Sequence, residues 1–261
     1  MKIFLPLEEV TYEKFTFPDG QPHIKLSREI IDADVTIEVS ITSVEELFDL
    51  MLVANTIKDS DPTNIIDLYI EYLLGARMDR AIDNTQPFTL KVIADVLNTF
   101  PWDSVDILDP HSPVACELIN NAKPVYPGTE LEAVISLYHP EETIIVVPDL
   151  GARKRVEEML SLLAPARWFK LIQCSKNRDS QTGKLSGFTL GDNKFDLAGK
   201  KCLIIDDICD GGGTFVGLAK LLWENDAIQV DLFVTHGIFS KGKTLEGIDT
   251  VYSTTSYRKG D

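Results

Sequence analysis

The segment Leu203-Ile-Ile-Asp-Asp-Ile-Cys-Asp-Gly-Gly-Gly-Thr-Phe215 constrains the fold more than any other part of the chain. Its apolar opening, Lys201 to Ile205, reads as a buried strand of a parallel sheet, where both faces are covered and the sequence is continuously hydrophobic. Ligands of open α/β sheets bind beyond the carboxyl ends of the strands, which is where Asp206 and Asp207 fall. Asp210 and three glycines follow. Gly211, Gly212 and Gly213 allow a tight turn that aims several backbone N–H groups at one point. Thr214 then begins a helix expected to reach Trp223, and a helix N-terminus favours an anion. The segment therefore predicts a cradle for one phosphate. Asp206 and Asp207 would repel that phosphate unless they face the hydroxyls of a ribose or a magnesium ion coordinated to them, so a phosphorylated ribose is the expected ligand. The spacing matches neither the Walker A loop nor the dinucleotide G-x-G-x-x-G pattern.

The rest of the chain alternates strand-like and helix-like stretches. Strands are expected over 34–39, 65–70, 105–108, 143–147, 168–173, 201–205 and 228–235. Helices are expected over 43–57, 86–100, 151–163 and 214–223, the first opened by a Ser43/Glu46 capping box, with Leu47, Leu50, Met51 and Ala54 as its core stripe. Such alternation implies βαβ units. Two series, broken near residues 138–142, predict an α/β protein of two domains, 1–140 and 141–261, each a mainly parallel sheet flanked by helices. Residues 174–187 are polar, basic and aperiodic, and read as a surface loop. Residues 241–261 carry no readable pattern.

The formal charge of −16 argues against nucleic acid as a partner, because such a surface repels phosphate backbones. It leaves room for a small phosphorylated ligand held by a local cluster of donors. No apolar run reaches the roughly 18–20 residues of a membrane span, and the N-terminus lacks the pattern of a signal peptide. A cytoplasmic protein with no membrane partner is the expectation. Cys116, Cys174, Cys202 and Cys209 are scattered, which predicts reduced thiols and no cysteine zinc site.

The Asp206–Thr214 segment resembles the signature of proteins that bind phosphoribosyl pyrophosphate (PRPP). Further segments, in the same order along the chain, resemble the ribose-phosphate pyrophosphokinases, or PRPP synthetases. Phe17-Pro-Asp-Gly-Gln21 is similar to their short N-terminal loop that meets a nucleotide, and Gly75-Ala-Arg-Met-Asp-Arg80 to the segment whose arginine holds ATP. The resemblance thus implies Phe17, Asp19, Arg77 and Asp79 as ATP-binding residues. Leu108-Asp-Pro-His111 resembles a motif whose histidine binds magnesium. Val147-Pro-Asp-Leu-Gly-Ala-Arg-Lys-Arg155 resembles their pyrophosphate loop, implying roles for Asp149, Gly151, Lys154 and Arg155, with His111 and Asp149 as metal ligands. Lys176-Asn-Arg178 resembles the Lys-x-Arg of their catalytic loop, and Thr235-His-Gly-Ile-Phe-Ser240 their strand-end motif, in which His236 is read as structural. The implied fold is two tandem phosphoribosyltransferase-like domains. The implied assembly is a homo-oligomer, a dimer or a hexamer.

The implied reaction moves the diphosphoryl group of ATP onto the anomeric hydroxyl of ribose 5-phosphate, with Mg2+, and releases AMP. Lys176 and Arg178 would close over the transferring group. Two departures fall on the nucleotide and metal side: Met78 beside the ATP arginine, and Pro110 inside the histidine motif. They motivate an alternative acceptor, ADP-ribose, whose terminal ribose also carries a 5-phosphate. A type I phosphoribosyltransferase that consumes PRPP is a second alternative. A non-catalytic regulator is a third.

Overall fold

The computed structural model describes residues 1–178, 185–191 and 196–258. Their contacts divide into two compact units: Met1–Val125 with the C-terminal tail from Ser256, and Tyr126–Thr255.

The first unit contains strands β1 (Lys2–Leu5), β2 (Glu8–Val10), β3 (Tyr12–Thr16), β4 (Pro22–Leu26) and β5 (Asp34–Ser40). Helix α1 (Val44–Ser60), β6 (Ile65–Tyr72), α2 (Thr89–Leu97), β7 (Ser104–Leu108), the short α3 (Val114–Leu118) and β8 (Ala122–Val125) follow. One sheet runs β2-β1-β5-β6-β7-β8. Its strands β5 to β8 are parallel and β1 and β2 are antiparallel. A separate hairpin pairs β3 with β4.

The expected capping box at α1 is present: the Ser43 hydroxyl accepts the Glu46 N–H at 3.2 Å, and the Glu46 carboxylate accepts the Ser43 N–H at 2.9 Å. Leu47, Leu50 and Ala54 of its stripe are buried against the sheet. Helix α2 is shorter than the expected 86–100. Phe88 at its N-cap is non-helical, and beyond Asn98 the chain turns toward Pro101, a residue that disfavours helix before it.

The second unit contains α4 (Gly128–Ile135), β9 (Thr143–Val147), α5 (Leu150–Ser161), β10 (Lys170–Arg178) and β11 (Leu185–Leu190). Strand β12 (Lys201–Cys209), α6 (Gly213–Trp223), β13 (Gln229–Gly237) and β14 (Thr250–Ser253) complete it. The sheet order is β11-β10-β9-β12-β13-β14, with only β11 antiparallel. From β9 the chain steps to β10 on one side, then to β12, β13 and β14 on the other. The neighbours β9 and β12 therefore flank a topological switch point, where open α/β sheets form a ligand crevice.

The central strands β9, β12 and β13 of this sheet are buried on both faces. Cys202 and Ile204 pack beneath α6, while Leu203 and Ile205 pack beneath α4 and α5. Helix α4 shares that second cluster through Leu131, Val134 and Ile135. This packing places the contact boundary at Tyr126 rather than at residue 141.

Residues 174–187 differ from the expected loop. Strand β10 runs through Arg178 and pairs antiparallel with β11, so Lys176 stands opposite Phe188. The aperiodic polar sequence Cys174-Ser-Lys-Asn-Arg178 hid this strand, because it shows no alternation of apolar and polar residues. Gly217 of α6 receives the Phe188 ring: an added Cβ there would lie 2.5 Å from its Cε2. The tail is also ordered beyond the readable sequence. Tyr257 packs edge-on against Tyr72, and Arg258 pairs with Glu71.

Candidate functional site: a phosphate loop and a buried acid pair at the switch point

Strand β12 runs four residues past the expected end at Ile205, because β13 continues to pair with it as far as Cys209 opposite Gly237. Asp206 and Asp207 thus sit within the strand, beyond the last β9 pairing at Ile204–Val146. Asp207 is 4% exposed. Two adjacent carboxylates, Asp207 buried and Asp206 with its side chain 14% exposed, need a cation, and the structure supplies Arg155 from α5. Its Nη2 lies 2.6 Å from Asp206 Oδ1 and 3.3 Å from Asp207 Oδ1. The Arg155 side chain is itself only 10% exposed. Burial, and then the charge of Asp207, pushes the Asp206 carboxyl well above the usual carboxylate range, against the opposing pull of Arg155.

The glycine loop follows at once. Gly212 adopts φ +73°, a left-handed conformation that costs a non-glycine residue strain, and it caps α6 with no side chain. A Cβ there would lie 2.3 Å from Leu245 Cδ2. The first-turn amides of a helix lack intrahelical acceptors, so Gly213 and Thr214 open α6 as an anion-binding end. The segment beyond β13 walls this loop. The N–H groups of Ile238 and Phe239 both donate to the Cys209 carbonyl, at 2.8 and 3.1 Å. His236 is buried in β13, in keeping with a structural place.

The pyrophosphate-loop residues divide. Asp149 is the N-cap of α5 and accepts the Ala152 N–H at 3.0 Å. Gly151 lies in the first turn, where a Cβ would come within 3.3 Å of Asp149 Oδ1. Lys154 points to solvent, 89% exposed and 3.7 Å from Glu158. Arg155, expected to serve the same loop, turns inward onto the two acids of β12. The structure brings Arg155, Asp206, Asp207 and the glycine loop together in one place.

The residues of the first unit lie in loops at the ends of its strands. Phe17 and Asp19 occupy the tip between β3 and β4, where Asp19 accepts the Gln21 N–H at 3.2 Å and the Phe17 ring meets Phe15 edge-on and His23 at a tilt. Arg77 and Asp79 follow β6 in a turn opened by Gly75 at φ +78°. His111 is exposed after β7, and the Ser112 hydroxyl beside it is buried with no hydrogen-bond partner. Asp109 of the same motif is fully buried and its N–H donates to the Val125 carbonyl at 2.8 Å. The side chains of Lys176 and Arg178 lie outside the described residues. No cluster of three or more His, Cys, Asp or Glu suited to a metal occurs among the described residues.

One cation beside the loop has no counterpart in the sequence reading. Lys241 lies along Gly211: a Cβ on that glycine would sit 3.6 Å from the lysine Cδ and Cε and 3.9 Å from Nζ. Nothing in the aperiodic tail marked it.

A glycine loop and an acid pair at the switch point of a parallel sheet are the features of a phosphoribosyltransferase-like α/β fold, here with a second α/β unit before it in sequence. The model of the phosphoribosyl transferase domain matches residues 129–258, and that of the N-terminal domain of ribose phosphate pyrophosphokinase matches residues 2–100. Among curated relatives, the ribose-phosphate pyrophosphokinase of Mycoplasma genitalium is 30% identical over 241 residues, which cover 89% of this chain and 70% of that one. That of Mycoplasma pneumoniae is 29% identical over 244 residues, 92% and 71% of the two chains, and that of Pyrococcus abyssi 27% over 229, 87% and 76%. The crystal structure of phosphoribosylpyrophosphate synthetase from Mycobacterium smegmatis superposes with a TM-score of 0.72 at 21% identity, covering 90% of this chain and 75% of that one, and shows the same fold. The chain belongs to the ribose-phosphate pyrophosphokinase family and is a diphosphotransferase. No helix among the described residues is long and apolar enough to cross a membrane.

Proposed function

We propose that this chain transfers the diphosphoryl group of ATP to the anomeric hydroxyl of ribose 5-phosphate, forming PRPP and releasing AMP. The observation that carries the reading is the buried Arg155–Asp206–Asp207 network directly before the Gly211–Thr214 cradle. The cradle takes the 5-phosphate on its amides. The acid pair accepts hydrogen bonds from the ribose hydroxyls, and Arg155 holds both carboxylates in place so that the sugar meets a fixed acceptor array. Asp210 flanks the same cradle. Lys176 and Arg178, on β10, supply cations to the transferring group, Lys as a point charge and Arg as a planar fork. Asp149, Gly151 and Lys154 serve the pyrophosphate. In the first unit Phe17, Asp19, Arg77 and Asp79 serve ATP.

The residues fit a magnesium ion delivered with the nucleotide. The exposed His111 imidazole of the first unit and the Asp149 carboxylate of the second would each offer a single protein ligand, and magnesium ordinarily keeps waters and substrate oxygens rather than an all-protein cage. A magnesium ion held by either would neutralise phosphate charge. A homo-oligomer is the proposed assembly.

The test is AMP release from ATP and magnesium with ribose 5-phosphate or ADP-ribose as acceptor. AMP with ribose 5-phosphate is the expected result. AMP with ADP-ribose alone would move the chemistry to the larger acceptor. No AMP with either, together with pyrophosphate release from PRPP and a base, would replace the reading by a phosphoribosyltransferase.

A further inference from the structure

The cradle is acid-rich. Asp206, Asp207 and Asp210 surround it, and the buried guanidinium at Arg155 is already committed to two of them. A dianionic sugar phosphate entering such a site meets backbone dipoles but also a surplus of negative charge. The structure places one further cation there. Lys241 lays its stem against Gly211, at the 3.6 Å separations given above, and it forms no salt bridge among the described residues.

This placement is built into the chain. The amides of Ile238 and Phe239 tie the segment to the carbonyl at the end of β12. The Gly242 N–H closes a turn onto the Phe239 carbonyl at 2.8 Å, with Lys241 inside it. Leu245 then anchors the far side against Gly212 and is 7% exposed. The lysine therefore projects from a backbone pinned at both ends to the loop it serves. A Cβ added at Gly211 would meet the lysine stem at ordinary van der Waals distance, so the stem lies directly alongside this glycine. Lys243, two residues on, goes elsewhere: its ammonium lies 5.8 Å from the centroid of the Phe239 ring.

We propose that Lys241 is a ligand of the acceptor's 5-phosphate, completing from the segment after β13 the cradle that Gly211–Thr214 begins. The proposal rests on the reading of that loop as the phosphate site. It is tested by equilibrium binding without ATP, by calorimetry of ribose 5-phosphate and, separately, of inorganic phosphate. Lys241→Ala should weaken both by roughly tenfold, the scale of one charge-assisted hydrogen bond. Lys241→Arg should restore most of the loss, and the salt dependence of binding should flatten in Lys241→Ala, because a charge contact is screened. Lys243→Ala should stay within about twofold of the wild type, as expected for an exposed charge away from the ligand. Wild-type affinity in Lys241→Ala, or an equal loss in Lys243→Ala, would overturn the role. If the wild-type protein bound neither ribose 5-phosphate nor phosphate, the loop reading itself would fall and take this role with it.

Discussion

The two units carry sheets of the same size but organise their strand ends differently. In the second, the parallel strands reverse direction of addition between β9 and β12, and at that gap lies a buried guanidinium clasping two carboxylates. In the first, the parallel strands β5 to β8 add in one direction only, and Arg77 and His111 lie exposed in the loops that follow. One unit builds its site into the core of the fold. The other hangs its candidate residues on loops, where they can change without disturbing the packing beneath.

The largest expected effect lies in the built-in site. Arg155→Met should leave two adjacent buried carboxylates without their cation. Breaking a buried pair this way costs about 3–5 kcal/mol. Hydrogen exchange should quicken across residues 201–209 and leave residues 34–40 and 65–72 unchanged. Equal quickening in both sheets would show that the units do not hold their stability separately.

Gly217→Ala comes next. Its new methyl would meet the Phe188 ring at 2.5 Å, an overpacking of about 1–3 kcal/mol. Because Phe188 stands opposite Lys176, turnover should fall as well as the unfolding midpoint. Adding Phe188→Leu should recover both. Recovery of stability alone would separate the packing of the hairpin from catalysis.

A smaller effect concerns pH. The Asp206 carboxyl is raised by burial and by Asp207, so the folded protein holds this proton more tightly than the unfolded chain, where the ordinary value is 3.8. The stability linked to that proton is complete at pH values below the unfolded value and is lost as pH rises through the raised one. Asp206→Asn should flatten that decline in urea midpoints followed from acid to mildly alkaline pH. An unchanged slope would assign the decline to another group.

The smallest structural effect should be at the loop-borne site. His111→Ala removes an exposed side chain and should change stability by less than about 0.5 kcal/mol. AMP release should nevertheless drop sharply. A large loss of stability would put His111 in the core of its unit and erase the contrast.

The same contrast governs what could be read in advance. The Ser43 cap, the apolar runs of β5, β6, β9 and β13, and the glycine loop are contiguous patterns, and each was legible. The N-terminal hairpins, α4, β14 and the polar end of β10 were not, because short or polar elements carry no strong periodicity. Arg155 was assigned to the pyrophosphate loop from its motif, yet its contact is with residues 51 and 52 positions away. No local rule reports such a pairing. Lys241 was missed for the same reason: its partner is a glycine on another element.

The sequence by itself determined the α/β architecture and the glycine loop. An apolar strand, paired acids, three glycines and a hydroxyl act through their immediate neighbours, so their order alone specifies a strand, a tight turn and a helix start. The tertiary structure decided which cations lie beside that loop. Strand order set β9 beside β12 and so brought α5 and Arg155 to the acids, and the chain's return after β13 laid Lys241 over Gly211. Both placements depend on long-range packing, whose energy belongs to the assembled core and not to any segment of it.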